Sequence, residues 1–190
     1  MKFALFFTAA ALVASPAAAR VEASSEAGFA IVHEVDVAAT PDALWAILIR
    51  PQRWWSGEHS WSGDVRNFSL DPRPGGCFCE TLPLLLKPGT RPRHPDGTPP
   101  GFVEHARVIH AKPGNLLRLS GVLGPLQSEA LTGTLSFTIT PGANSSSSKL
   151  KVEYVVGGYS RIPLKSVAPA VDKVLGEQVM RLRDVAVIAS

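Results

Sequence analysis

The chain is 190 residues long, 45% hydrophobic and 18% charged, which fits one globular domain with a sizeable core and excludes a largely disordered protein. Its 19 basic and 16 acidic residues form no dense Lys/Arg cluster, so the electrostatic footprint of a nucleic-acid binder is missing. No apolar run reaches the roughly 20 residues that a membrane-spanning helix needs.

The N-terminus comes first in chain order. Met1-Lys2 supplies one positive charge, Phe3 to Ala14 is an apolar run, and Ser15-Pro16-Ala17-Ala18-Ala19 offers small residues at an A-x-A cleavage site. The run reads as a secretory signal peptide over residues 1–19, with a mature chain from Arg20 in the periplasm or outside the cell. An uncleaved anchor is the competing reading. No cysteine follows directly, which argues against a lipid-anchored lipoprotein. Residues 20–28 read as a polar leader, and a single domain is expected over 29–188.

Phe29 to Ala38, with Ile31, Val32, Val35 and Val37, reads as a strand. Thr40-Pro41-Asp42 announces a helix: Thr40 as N-cap, Pro41 at the first helical position, Asp42 near the positive end of the dipole. It carries Leu44, Trp45, Ile47 and Leu48, and Pro51 should end it near Arg50. A second short helix is expected over 51–57, and the serines and glycines of 56–63 favour a loop. This is the stretch RWWSGEHSWSGD, residues 53–64, with three tryptophans, a histidine and two carboxylates.

Gly76 to Leu82 reads as a strand carrying both cysteines, Cys77 and Cys79. Two residues of strand advance about 6.6 Å and aim both side chains at one face, so a relaxed disulfide needs a bulge or bend there. Gly75-Gly76 could provide one. A disulfide, a partial soft-metal site, and two small apolar side chains facing a core or cavity are the readings; thiols that are mostly reduced or only loosely bonded are expected. Residues 87–101, with five prolines and three glycines, form a connection, either a lid over a pocket or a tolerated insertion. Phe102 to Ala111 and Leu116 to Ser120 read as strands split by a Lys-Pro-Gly turn. Leu135, Phe137 and Ile139, then Leu150, Val152, Tyr154 and Val156, alternate with polar residues, and PGANSSSS between them makes an antiparallel hairpin. A long helix is expected from about Val167 to Val187, with Ser166 as N-cap and an apolar stripe of Val167, Val171, Val174, Leu175, Leu182, Val185 and Ala186. Gly176 interrupts it, so either something approaches closely there or the position is exposed.

Strand, two short helices, a run of antiparallel strands and one long final helix make an α+β, helix-grip order: a curved antiparallel sheet wrapped around the C-terminal helix, with a cavity between them. The segments TPDALWAIL, RWW, LDPRPGGCFCE, VEHARV, KPGNLLRLSG, GTLSFTITP and LGEQVMRL, over roughly residues 29–187, resemble the SRPBCC (START-like) superfamily. Within it they resemble bacterial proteins grouped with activators of heat-shock-protein ATPase and with polyketide cyclases. The chaperone-cofactor role sits badly with an export signal; what the resemblance implies is the cavity. It would hold a hydrophobic or amphiphilic small molecule, with Trp54, Trp55, His59, Trp61, Cys77, Cys79, Glu104, Tyr154, Leu175 and Val179 as candidate ligand-binding residues. Trp61 is expected at the pocket, and Trp54 or Trp55 in the core.

Acid–base chemistry would need titratable groups converging on that cavity. Glu58, His59, Glu80, Glu104, His105 and His110 are available, with Glu104 and His105 as the catalytic candidates. Strict alternation puts Glu104, Ala106, Val108 and His110 on one face, and Val103, His105, Arg107 and Ile109 on the other; both faces are mixed. No nucleophile elbow, metalloprotease, nucleotide-binding or zinc-spacing motif is present. The expected protein is an exported small-molecule binding protein, without cofactor or metal, monomeric or weakly dimeric. The alternative is a polyketide cyclase- or hydratase-like enzyme working in the same cavity.

Overall fold

The computed structural model describes residues 18–82 and 101–189. Among the described residues eight antiparallel strands form one sheet: β1 (Ala18–Ser25), β2 (Gly28–Val37), β3 (Phe68–Leu70), β4 (Cys77–Leu82), β5 (Gly101–Lys112), β6 (Leu116–Ser120), β7 (Ala130–Pro141) and β8 (Ser148–Tyr159). Their spatial order is β1-β2-β8-β7-β6-β5-β4-β3. Helix α1 spans Pro41–Leu48, and the long helix α2 spans Leu164–Ile188 and packs on β1, β2 and α1.

The periodicities predict most of this, and the departures have local causes. Thr40 caps α1 by accepting the Ala43 N–H, with Pro41 opening the helix. The expected second helix is a 3-10 turn at Pro51–Arg53, followed by another at Gly57–His59. Of the leader expected at 20–28, residues 26–27 make the turn into β2 at Gly28, and Arg20 to Ser25 belong to β1, an edge strand antiparallel to β2 with Val21 opposite Ile31. Its polarity hides it, because only one face of an edge strand packs and its backbone pairing comes from β2. Helix α2 starts at Leu164, before the expected N-cap; Ser166 lies in the first turn and donates to the Pro163 carbonyl. The proline-rich connection of 87–101 lies outside the described residues except for Gly101, as does the proposed leader peptide except for Ala18 and Ala19.

Gly176 answers to close approach. A Cβ there would stand 2.8 Å from Cε1 of His33, whose ring is buried between β2 and α2. His33 Nε2 lies 2.9 Å from Asp172 Oδ1, near enough for a charge contact but without hydrogen-bond alignment.

The cysteines are a correction. Cys77 and Cys79 are joined by a disulfide, with their Cα atoms 5.3 Å apart. The ladder between β4 and β5 slips between Phe78 and Cys79, which supplies the irregularity that a regular strand lacks. Both cysteines are half-buried on the face of β4 opposite Phe78 and Glu80.

Candidate functional site

The residues of 54–62 are anchored from three directions. Trp54 is buried, donates through Nε1 to the Leu48 carbonyl at 3.1 Å, and meets Phe137 edge-on. Trp55 is also buried; its Nε1 donates to the His59 carbonyl at 2.8 Å, and its ring packs on Phe68 and Phe78. Helix α2 holds their backbone: Arg181 Nε donates to the Trp54 carbonyl at 2.9 Å, and the Ser56 N–H donates to Gln178 Oε1 at 2.7 Å. The far end is fastened to Glu80, whose carboxylate accepts the Trp61 N–H at 3.1 Å and the Ser62 N–H at 2.5 Å.

Above this scaffold lies a cavity of about 490 Å³ between α2, the inner face of the sheet and the loops 55–61 and 123–126. Val167, Ala170, Val171, Val174 and Leu175 form its helical wall. Leu123, Pro125, Leu126 and Ile162 add apolar surface, and Trp61, 53% exposed, stands at its mouth. The apolar stripe of α2 is thus wider than a core seam: Leu175, Val179 and Leu182 are buried, while the neighbouring valines face the cavity. Among the sequence candidates, Trp55, His59, Trp61, Tyr154, Leu175 and His105 line it. Trp54 and Val179 belong to the core, and Cys77, Cys79 and Glu104 lie outside its lining.

Strand β5 explains why Glu104 and His105 part company. Phe78 pairs with Ala106 and Cys79 with Glu104, so His105 is an extra residue, a bulge. His105 and Ala106 are both buried, and the alternation changes phase between them. Glu104 therefore faces outward, exposed, ion-paired with Arg107 and away from this cavity. His105 turns inward and is stacked on Phe68, with ring centroids 5.1 Å apart and planes at 22°. Its Nε2 lies 3.0 Å from Glu80 Oε2.

Glu80 is the carboxylate of this site, fully inaccessible and surrounded by donors. Burial pushes its carboxyl upward, but the hydrogen bonds from Ser62, Trp61 and His105 outweigh that and hold it below the ordinary range. Burial pulls His105 below its usual value, with Glu80 only partly opposing, so the ring is neutral near pH 7. The arrangement is a neutral imidazole oriented by an ionised carboxylate at the edge of an apolar cavity. The reading of alternation alone could not reach it, although an acidic residue at an inward position of β4 was a visible signal. At the inner wall Tyr154 is fully buried; its hydroxyl accepts the Leu123 N–H at 2.9 Å, and burial raises its ionisation well above the ordinary phenol value. His59 Nε2 lies 3.1 Å from Glu177 at the rim. Among the described residues no cluster of three metal-ligating side chains occurs, and no helix is long and apolar enough to cross a membrane.

The curved sheet and its long C-terminal helix make a helix-grip fold. Solved structures share it. A Rhodobacter sphaeroides protein matches at 17% identity over 91% of this chain and 100% of its own, with a TM-score of 0.53. A Mesorhizobium loti protein matches at 17% identity over 82% of this chain and 95% of its own, with a TM-score of 0.52. A point mutant of Thalictrum norcoclaurine synthase, solved with a transition-state analogue, matches at 15% identity over 86% of this chain and 97% of its own, with a TM-score of 0.51. At these identities the likeness is one of fold. No protein-family model matches the chain, and no curated protein matches it in sequence.

Proposed function

We propose that the chain is an exported binding protein that holds a hydrophobic or amphiphilic small molecule between the sheet and α2. The observation that carries this reading is the apolar cavity of about 490 Å³, with Trp61 at its mouth and few polar groups converging on it. The test is mass spectrometry of the organic extract released by protein purified from the cell envelope, together with its intact mass. A released apolar compound and a chain beginning at Arg20 are the expected results. A full-length species resistant to processing would overturn export. An empty extract, with no change in tryptophan fluorescence on titration with fatty acids, sterols and aromatic polyketides, would overturn binding.

A second reading, a cyclase- or hydratase-like enzyme, is favoured by the His105–Glu80 pair at the cavity wall. Its test is His105→Gln in a turnover assay with any extracted compound. Loss of turnover with binding retained supports the enzyme; retained turnover removes His105 from it.

A further inference from the structure

Resting on the binding reading above, the polar inventory of the cavity narrows the class of ligand. Among the described lining residues there is no lysine or arginine. Lys165 and Lys173, on the same helix as the wall, are exposed and outside the lining, and Arg181 spends its guanidinium on the carbonyls of Trp54 and Trp55. The fixed charge on the described lining is negative, that of Glu58, with Glu177 against His59 and Glu80 behind His105.

The neutral polar groups are mostly committed. Gln178 accepts from the Ser56 N–H and donates to the Val174 carbonyl. Ser60 donates to the Gly57 carbonyl and accepts from the Gly63 N–H. Tyr154 differs. Its hydroxyl oxygen accepts the Leu123 N–H, and among the described residues nothing accepts its proton. Tyr154 lies among the lining residues with no accessible surface of its own, so when the side chains covering it part around a guest, its spare proton is available to an acceptor atom there.

We infer that the cavity selects uncharged hydrophobic molecules carrying a hydrogen-bond-accepting oxygen, a ketone or ester carbonyl, and rejects carboxylates, phosphates and sulfates of similar size. An anion entering such a site loses its hydration and meets no cation among the described lining residues, while Glu58 repels it. A carbonyl loses far less on leaving water, and the Tyr154 hydroxyl replaces what it loses. This is selection by an unfavourable contact for the wrong guest as well as a favourable one for the right guest.

The experiment is calorimetric titration of the full chain at neutral pH with three naphthalenes of similar shape: 2-acetylnaphthalene, 2-naphthoate and 2-ethylnaphthalene. The ketone is expected to bind at least about tenfold more tightly than the carboxylate, since the anion must be desolvated without a partner. In Tyr154→Phe the ketone should weaken by about fivefold, the size of one neutral hydrogen bond, while the ethyl compound changes little. Naphthoate binding as tightly as the ketone would overturn the selectivity and leave the binding reading standing. Equal weakening of ketone and ethyl compound would overturn the role of Tyr154. Failure of all three to bind would remove the binding reading and this inference with it. If Tyr154→Phe does not fold, the ketone and naphthoate affinities of the unaltered chain still decide selectivity.

Discussion

Trp54 and Trp61 stand seven positions apart in one short stretch and do opposite things. Trp54 is 3% exposed and wedged between Phe137 and Trp55, so Trp54→Ala should cost about 3–5 kcal/mol in chemical unfolding, the range for emptying a large aromatic site. Trp61 is over half exposed, and Trp61→Ala should cost no more than about 0.5 kcal/mol, as for an ordinary surface change. Equal losses would mean that both rings fill the core. At Gly176, alanine gains roughly 1 kcal/mol of helix propensity, but its Cβ would press on the His33 ring. Overpacking of this kind costs typically about 1–3 kcal/mol, so Gly176→Ala should destabilise the protein. In a His33→Ala background the same change should stabilise it. Urea unfolding of the four combinations tests the contact, and an unchanged effect in the second background would refute it.

At the scale of the strand, one inserted residue in β5 determines which titratable groups face the interior. The bulge turns His105 inward toward Glu80, and the consequence is a definite acid sensitivity. His105 and His33 both have proton affinities lowered by burial, against an ordinary value of 6.5. Below that value the unfolded chain takes up protons that the folded chain refuses, so stability falls as pH drops through 6.5 toward the lower folded values. Glu80, held below its ordinary 4.5, contributes stability above that pH that is lost on further acidification. Melting temperatures between pH 8 and pH 5 should therefore decline on the acid side. His105→Gln, whose amide can still donate to Glu80, should flatten the decline; an unchanged slope would remove His105 as its source. The irregular ladder of the same strand pair accompanies the Cys77–Cys79 disulfide. Thiol titration under denaturing, non-reducing conditions should accordingly find no free thiols, and two would refute the bond.

For the whole molecule, a guest held in the cavity should stabilise the fold, because α2 and the sheet must both be in place to form its walls. A guest that binds only the folded chain and is present at a hundred times its dissociation constant should add about 2.7 kcal/mol. For a domain of this size that corresponds to a rise of several degrees in melting temperature, roughly 2–4 °C per kcal/mol. 2-Acetylnaphthalene is the probe, and no shift at saturating concentration would mean that it does not bind the folded cavity.

The architecture was legible because it rests on repeating signals. The two-residue period of β7 and β8, the Thr40-Pro41 opening of α1 and the broad apolar stripe of α2 each act through local backbone geometry, and together they determined the helix-grip order. The helix-grip resemblance implied a place beside the cavity for the tryptophan-rich stretch, and Trp55 and Trp61 are among the residues that line it. What tertiary structure alone decided depends on single insertions and on contacts between distant segments. The bulge at His105 reverses side-chain direction without any change in composition, so alternation favoured neither Glu104 nor His105. Glu80 meets Trp61, Ser62 and His105 across three separate segments, and Gly176 makes room for a ring more than a hundred residues away in the chain. Polar β1 became a strand because β2 offered it an edge to pair with. Local periodicity can be read from one segment at a time, whereas register, bulges and buried polar pairs are properties of two segments at once.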